Sequence, residues 1–186
     1  MKRIEYRRKR EGKTDYRTRL ELLKNGKPRL VIRFSLKNIV AQIFQYDEKG
    51  DKVLAAADSK EIEKKFGWKA GRNNIPSAYL TGYLLGKKAV KAGVKEAILD
   101  LGLEKNIKGG RLYSTLKGAL DAGLSVPCSE DIFPSEDAIK GMHIVNYAKK
   151  LSGEGKYDKI YSGYAKKGIK AEDIPKLFEE IKKKIE

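Results

Sequence analysis

The first 45 residues constrain this chain most, because they combine dense positive charge with a β-strand pattern. They hold fourteen Lys and Arg residues against four Asp and Glu, and so carry most of the formal net charge of +16. Residues 1–13 have too few apolar side chains to offset a backbone-ordering cost of about 1 to 2 kcal/mol per residue. We therefore predict an extended arm that is ordered by a polyanion, since each Lys or Arg that neutralises a phosphate releases a counterion.

A solubilising basic tail is the alternative explanation of the arm. The arm, however, continues directly into a strand that itself carries Arg29, Arg33 and Lys37. Tyr6 and Tyr16 are interleaved with the charges and could stack on bases or riboses. These features favour a nucleic-acid contact.

The composition indicates a folded domain. Hydrophobic residues make up 40% and charged residues 35% of the 186 residues, which suits one domain with a buried core. No apolar run approaches the roughly 18 residues of a membrane span, and the charged N-terminus has no apolar stretch of a secretory signal. We expect no membrane role. Cys128 is the single cysteine, so no disulfide can form within the chain. We expect a protein of the reducing cytoplasm, with Cys128 in or near its core.

The first half of the chain predicts an antiparallel sheet. A short helix should begin at Thr14 or Asp15 and end at Asn25-Gly26. Residues 29–35 alternate apolar and mostly polar side chains, which predicts a strand with one packed face and one face free to bind. A turn at Lys37-Asn38 and strands over 39–46 and 52–57 would complete a three-stranded meander.

The second half predicts helices around one more parallel strand. The Asn74-Ile75-Pro76 start predicts a long helix to Gly93, whose Gly82 and Gly86 would allow a close approach to the sheet. Residues 94–101 read as a strand parallel to one of the first three, because a helix precedes it as a crossover. A helix over 111–122, a short strand over 124–127, a helix from Ser135 to Leu151, a linker over 152–157 and terminal helices follow.

This order predicts an α/β fold with a mixed sheet flanked by helices, as in ribonuclease H-like folds. Nucleases of that type hold metal ions with carboxylates on the first strand and its parallel neighbour. Here the first strand has Arg29, Arg33 and Ser35 instead, and Asp100 stands alone on the later strand. We expect Asp100 to be a strand-end residue, and no metal or other cofactor. The helix start at Gly109-Gly110-Arg111 could hold a phosphate on its free amides. A plain loop is the favoured interpretation of these residues.

RNA is favoured over duplex DNA as the partner. No recognition helix, zinc finger or basic zipper is present in the sequence, and a flexible Arg-rich arm joined to a polar sheet face suits irregular folded RNA.

Seven motifs in order closely resemble one protein family. They are YRRKREGKTDY at 6–16, KPRLVIRFS at 27–35, AQI at 41–43, NIPSAYLTG at 74–82, AILDLG at 97–102, KGALDAG at 117–123 and PCSEDIFP at 127–134. The family is the archaeal-type large-subunit ribosomal protein L eighteen, called L five in eukaryotes, and the likeness spans about residues 3–151.

The resemblance implies a non-catalytic structural protein of the ribosome's central protuberance, with a ribonuclease H-like motif. Its partners would be 5S rRNA, the 23S-type large-subunit rRNA and neighbouring ribosomal proteins, with no small-molecule substrate. We divide the chain into a basic arm and short helix over 1–26, an RNA-binding core over 27–134 and a helical C-terminal extension over 135–186, and the tail from Ser152 onward resembles the extension of archaeal and eukaryotic members. The RNA-facing residues that the resemblance implies are Arg3, Tyr6, Arg7, Arg8, Arg10, Lys13, Tyr16, Arg17, Arg19, Arg29, Arg33, Ser35, Lys37, Gln42, Arg72 and Asn74.

Two rival functions remain open at this point. A free RNA-processing or assembly factor could use the same surface but would be absent from mature large subunits. A metal-dependent nuclease would cleave RNA with magnesium or manganese and would lose that activity on Asp100→Asn.

Overall fold

The computed structural model describes residues 4–186. Its strands are β1 (Arg29–Phe34), β2 (Ile39–Gln45), β3 (Lys52–Asp58) and β4 (Ile98–Asp100). Its helices are α1 (Arg7–Arg10), α2 (Tyr16–Lys24), α3 (Ser59–Phe66), α4 (Ile75–Lys91), α5 (Arg111–Asp121), α6 (Glu136–Lys140), α7 (Met142–Gly153), α8 (Tyr157–Ile160), α9 (Ser162–Ala165) and α10 (Ile174–Ile185). No helix within residues 4–186 is both long and apolar enough to cross a bilayer.

The four strands form one mixed sheet in the order β3-β2-β1-β4. β1 pairs antiparallel with β2, and β2 pairs antiparallel with β3. β4 lies parallel to β1, with Arg29 opposite Ile98. The predicted meander, the parallel fourth strand and the α/β class with flanking helices are confirmed. The closer likeness to ribonuclease H stays a prediction.

The inner face of the sheet packs on α4. Leu30 and Ile32 of β1 and Ile43 of β2 are fully or almost fully buried there, together with Leu80 and Leu85 of α4. The helix begins where the sequence predicted, because the Asn74 side chain accepts a hydrogen bond from the Ser77 amide at 2.9 Å and Pro76 occupies the first turn. Trp68 is fully buried and donates its indole N–H to the Gly71 carbonyl at 2.9 Å.

Glycines bring α4 against α5, and not against the sheet as the sequence suggested. A Cβ on Gly82 would lie 1.8 Å from the carbonyl oxygen of Thr115, and one on Gly118 would lie 2.1 Å from that of Tyr79. A Cβ on Gly86 would meet the Ala119 carbonyl oxygen at 2.7 Å. The backbones of the two helices therefore touch, and side chains larger than hydrogen are excluded from the crossing.

The outer face of the sheet is partly covered by the N-terminal arm. Residues 1–13 were predicted to be extended, but Arg7–Arg10 form one helical turn, and the chain then folds back toward the sheet. Consequently Val31, on the outer side of β1, is only 8% exposed, and the face predicted to be free is free only in part. The helix predicted after Asp15 is confirmed: the Asp15 carboxylate accepts hydrogen bonds from the amides of Arg17 and Thr18.

The C-terminal helices α6 and α10 pack on α4, and α7 packs on α6. The helix predicted from Ser135 to Leu151 is two helices, because Gly141 adopts the left-handed conformation (φ +87°) between them. The amphipathic helix α10 lies on α4, where Phe178 packs against Tyr79 with ring centroids 5.4 Å apart. The short strand predicted over 124–127 is reduced to a single bridge between Glu96 and Ser125, and Cys128 is exposed.

Candidate nucleic-acid interface

The arm and the helix α2 that follows it form one cationic unit. The Arg8 guanidinium donates to the Thr14 hydroxyl at 2.9 Å, and the Lys13 amide donates to the Arg8 carbonyl at 2.9 Å. These contacts fold the segment between the helices, so that Arg7, Arg10 and Arg17 are exposed to solvent. Because α1 buries no residue, this surface is determined by charge and hydrogen bonding and not by a hydrophobic core.

Tyr6 and Tyr16 contact each other. Their ring centroids are 5.1 Å apart and the ring planes are inclined by 43°. Tyr6 remains 66% exposed, so one side of the pair stays open to solvent. The pair joins the start of α1 to the start of α2 and still offers an aromatic surface of the kind that stacks on a base or ribose.

Arg29 is placed differently from the sequence interpretation. Its side chain is 3% exposed, and its two terminal nitrogens each lie 2.5 Å from a carboxylate oxygen, one of Asp51 and one of Asp100. The alternation in β1 correctly assigned Arg29 to the outer face, but that face is closed here by the arm and by these acids. Arg29 is therefore a buried ion-pair residue, and we leave it out of the interface.

The Asp51 carboxylate also forms an ion pair with Arg19 of α2. Two nitrogen–oxygen contacts of 3.0 and 2.9 Å join the Arg19 guanidinium to this carboxylate. Arg19 and Asp51 therefore fasten the arm helix to the turn between β2 and β3. Between the arm and the sheet lies a cleft of about 470 Å³. Its charged lining residues are Arg8, Lys13, Asp15, Arg19, Arg29, Arg33, Asp51, Asp100 and Glu104.

The β1–β2 hairpin presents Arg33 and Lys37 to solvent. Its tip is a tight turn in which the Ser35 hydroxyl donates to the Asn38 carbonyl at 3.1 Å and accepts from the Asn38 amide at 3.0 Å. Ser35 was predicted to face RNA, but its hydroxyl forms hydrogen bonds with the Asn38 backbone and stabilises the turn. Gln42 is half-buried on the outer face of β2, opposite Val31.

Arg72 and Asn74 lie beside the hairpin at the start of α4. The Arg72 guanidinium lies 2.8 Å from the Glu63 carboxylate, which also pairs with Lys167 at 2.6 Å. These cations hold the pKa of Glu63 below its usual range, and the hydrogen bond from Lys167 is the main cause. The Asn74 oxygen caps α4, whereas its side-chain nitrogen is buried without a hydrogen-bond partner among the described residues. Arg3 lies outside the described residues.

Two residues that the sequence analysis did not assign to the interface organise this corner. The Asn73 side-chain nitrogen donates to the hairpin carbonyls of Ser35 (2.8 Å) and Leu36 (3.2 Å). Its oxygen accepts from the Arg111 guanidinium at 2.6 Å, and that guanidinium lies over the Phe34 ring, 5.0 Å from its centroid. Asn73 and Arg111 thus tie the hairpin tip to the starts of α4 and α5. Sequence periodicity carries no signal for contacts between residues 38 positions apart.

The exposed arginines of this surface are suited to phosphate binding. Within residues 4–186 no group of three or more His, Cys, Asp or Glu side chains is placed to hold a metal ion. Asp100 contacts Arg29 and also accepts from the Gly102 amide at 3.0 Å, which makes it a strand-end residue. Arg10, Arg17 and Arg33 are exposed, and within the described part of the chain no carboxylate lies within 4.0 Å of their guanidinium groups. Such cations can each neutralise a phosphate.

A comparison with protein families agrees with this chemistry. The family model described as "Ribosomal large subunit proteins 60S L5, and 50S L18" matches residues 2–95, half of the chain. The match runs from the arm through α4 and covers every residue predicted to face RNA, and the family predicted from the motifs is confirmed. The chain belongs to the family of ribosomal large-subunit proteins that comprises 60S L5 and 50S L18.

Proposed function

We propose that this protein is a structural component of the large ribosomal subunit that binds 5S rRNA and attaches it to the large-subunit rRNA. The observation that carries the proposal is the surface formed by the arm and the β1–β2 hairpin. On it Arg10, Arg17 and Arg33 are exposed and have no acidic neighbour within ion-pair distance in the described range 4–186. Family membership supports rRNA as the polyanion.

Contacts within the folded chain support the proposed surface. Arg19 and Asp51 hold α2 on the sheet, Tyr6 packs on Tyr16, and Asn73 holds the hairpin tip. Binding therefore orders few additional backbone segments, which reduces the entropic cost of association. The arm cations then supply phosphate contacts and the exposed part of Tyr6 supplies a stacking surface.

The salt dependence of 5S rRNA binding tests the proposal. Each phosphate contact contributes a slope of about 0.7 to 0.9 to the dependence of log affinity on log salt. We expect Arg10→Gln/Arg33→Gln to reduce the slope by about 1.4 to 1.8 and to weaken binding by about 1 to 3 kcal/mol per contact. The measurement is fluorescence anisotropy with labelled 5S rRNA between 50 and 200 mM salt.

The matched control is Lys91→Gln/Lys95→Gln. Both lysines are exposed; Lys91 is the last residue of the 17-residue helix α4 and Lys95 follows that end, whereas Arg72 and Asn74 lie at the start of the helix. This control removes the same charge and should leave the slope within error of the wild type. Equal slopes for both double variants would contradict the proposed surface. Sedimentation of the protein with mature large subunits on a sucrose gradient separates this function from that of an assembly factor, which would be absent from them.

A further inference from the structure

A second cationic surface lies in the C-terminal extension, outside the part of the chain that the family model matches. Residues 156–170, which we call the C-terminal strip, contain five lysines and one aspartate. Lys159, Lys166 and Lys170 are exposed, and within residues 4–186 no carboxylate lies within 4.0 Å of their ammonium groups. Free cations at this density repel one another, and a polyanion would relieve that repulsion.

Three tyrosines hold the strip in place. The ring centroids of Tyr157 and Tyr161 are 5.1 Å apart, and those of Tyr161 and Tyr164 are 5.4 Å apart. The Tyr157 hydroxyl accepts from the Ala171 amide at 3.1 Å, and the Tyr164 hydroxyl accepts from the Gly71 amide at 3.2 Å. All three rings are half-buried, so the row is anchored through its hydroxyl groups while part of each ring stays exposed.

The strip is continuous with the interface already described. Glu63 lies 2.8 Å from Arg72 on one side and 2.6 Å from Lys167 on the other, and so joins the strip to the start of α4. Next to Arg72, Asn73 binds the hairpin tip at the Ser35 carbonyl. A chain of direct contacts thus leads from the hairpin, through Asn73 and Glu63, to the strip.

We infer that the C-terminal strip is a second RNA-binding surface, in which unpaired lysines contact phosphates and the tyrosine row packs against bases or riboses. The inference rests on the proposed rRNA-binding function and extends it to residues that the arm does not reach. RNA fits the strip better than a protein surface does, because exposed lysines beside partly exposed tyrosine rings are suited to irregular phosphate backbones and unstacked bases.

The test compares double variants of the full chain on two RNAs, 5S rRNA and full-length large-subunit rRNA. Lys159→Gln/Lys166→Gln should reduce the salt slope on at least one of them by about 1.4 to 1.8, as expected for two lost phosphate contacts. Lys159→Arg/Lys166→Arg keeps the charge and should keep the slope. Lys91→Gln/Lys95→Gln serves again as the control, and circular dichroism checks that each variant is folded.

Unchanged slopes on both RNAs would overturn the inference, and would also be the result if the strip bound an acidic protein. The arm-and-hairpin variant Arg10→Gln/Arg33→Gln separates the two failures. If this variant lowers the slope on 5S rRNA and the strip variant changes neither slope, the inference fails and the proposed function stands. If the arm-and-hairpin variant also leaves the slope unchanged, the proposed function fails as well.

Discussion

Arg29 offers the sharpest test of how the sheet and the arm are held together. Its side chain is 3% exposed, while the side chains of its partners Asp51 and Asp100 are 17% and 13% exposed. Replacing Arg29 by Met keeps most of the volume but leaves two carboxylates in a poorly hydrated site. Removing one member of a buried ion pair costs about 3 to 5 kcal/mol.

We expect the lower end of that range for Arg29→Met, because Asp51 retains its contacts with Arg19. A loss of about 3 kcal/mol corresponds to a fall of roughly 6 to 12 °C in the melting temperature of a chain of this length. Urea denaturation at pH 7, followed by circular dichroism, measures the free energy of unfolding.

Two further variants isolate the cause. Arg29→Met/Asp100→Asn should recover part of the loss, because Asp100 has no other cation within 4.0 Å among residues 4–186, and its contact with the Gly102 amide can be kept by Asn. Lys24→Gln breaks an exposed pair whose members are 60% and 68% exposed, and should cost less than about 1 kcal/mol.

An Arg29→Met protein as stable as the wild type would refute this reasoning. If that stable variant also bound 5S rRNA more weakly, Arg29 would face RNA, as the alternation of β1 alone suggests.

Two other predictions concern the helix crossing and pH. Gly82→Ala should lower the free energy of unfolding by about 3 kcal/mol or more, because its Cβ would lie 1.8 Å from the Thr115 carbonyl oxygen; Gly153→Ala, with no atom within 4 Å of its Cβ, should change it by less than about 1 kcal/mol in the same urea titration. The pKa of Glu63 is lowered in the folded protein, so its contribution to stability is present above the unfolded-state value of 4.5 and is lost as the pH falls through the folded-state value. Glu63→Gln should therefore be less stable than the wild type at pH 7 and equally stable well below pH 4.5, and a constant difference across that range would contradict the pairing with Arg72 and Lys167.

Local signals in the sequence predicted most of the architecture. The cap at Asn74 and the proline after it located α4, a start at Thr14 or Asp15 located α2, and the alternation of β1 correctly placed Leu30 and Ile32 in the core. Each of these features depends on residues a few positions apart, which is the range over which propensity and periodicity act.

The errors came from contacts that are distant in the sequence. Nothing near Arg29 indicates that Asp51 and Asp100 will surround it, and nothing in the spacing of Gly82 and Gly86 tells whether they face a sheet or another helix. The arm was predicted to be extended because charge and composition were considered without the sheet face on which it folds. For the same reason the role of Asn73 at the hairpin tip was not foreseen.

The carboxylate that fastens the arm is synthesised after the arm itself. Asp51 follows Arg19 by 32 residues, and Asp100 follows Arg29 by 71. A nascent chain leaves the translating ribosome with its N-terminus first, so Arg19 of α2 and Arg29 of β1 emerge before the acids that pair with them. During that interval these arginines can bind any nearby polyanion. Newly made chains would therefore benefit from a factor that covers the arginines until β4 has joined the sheet.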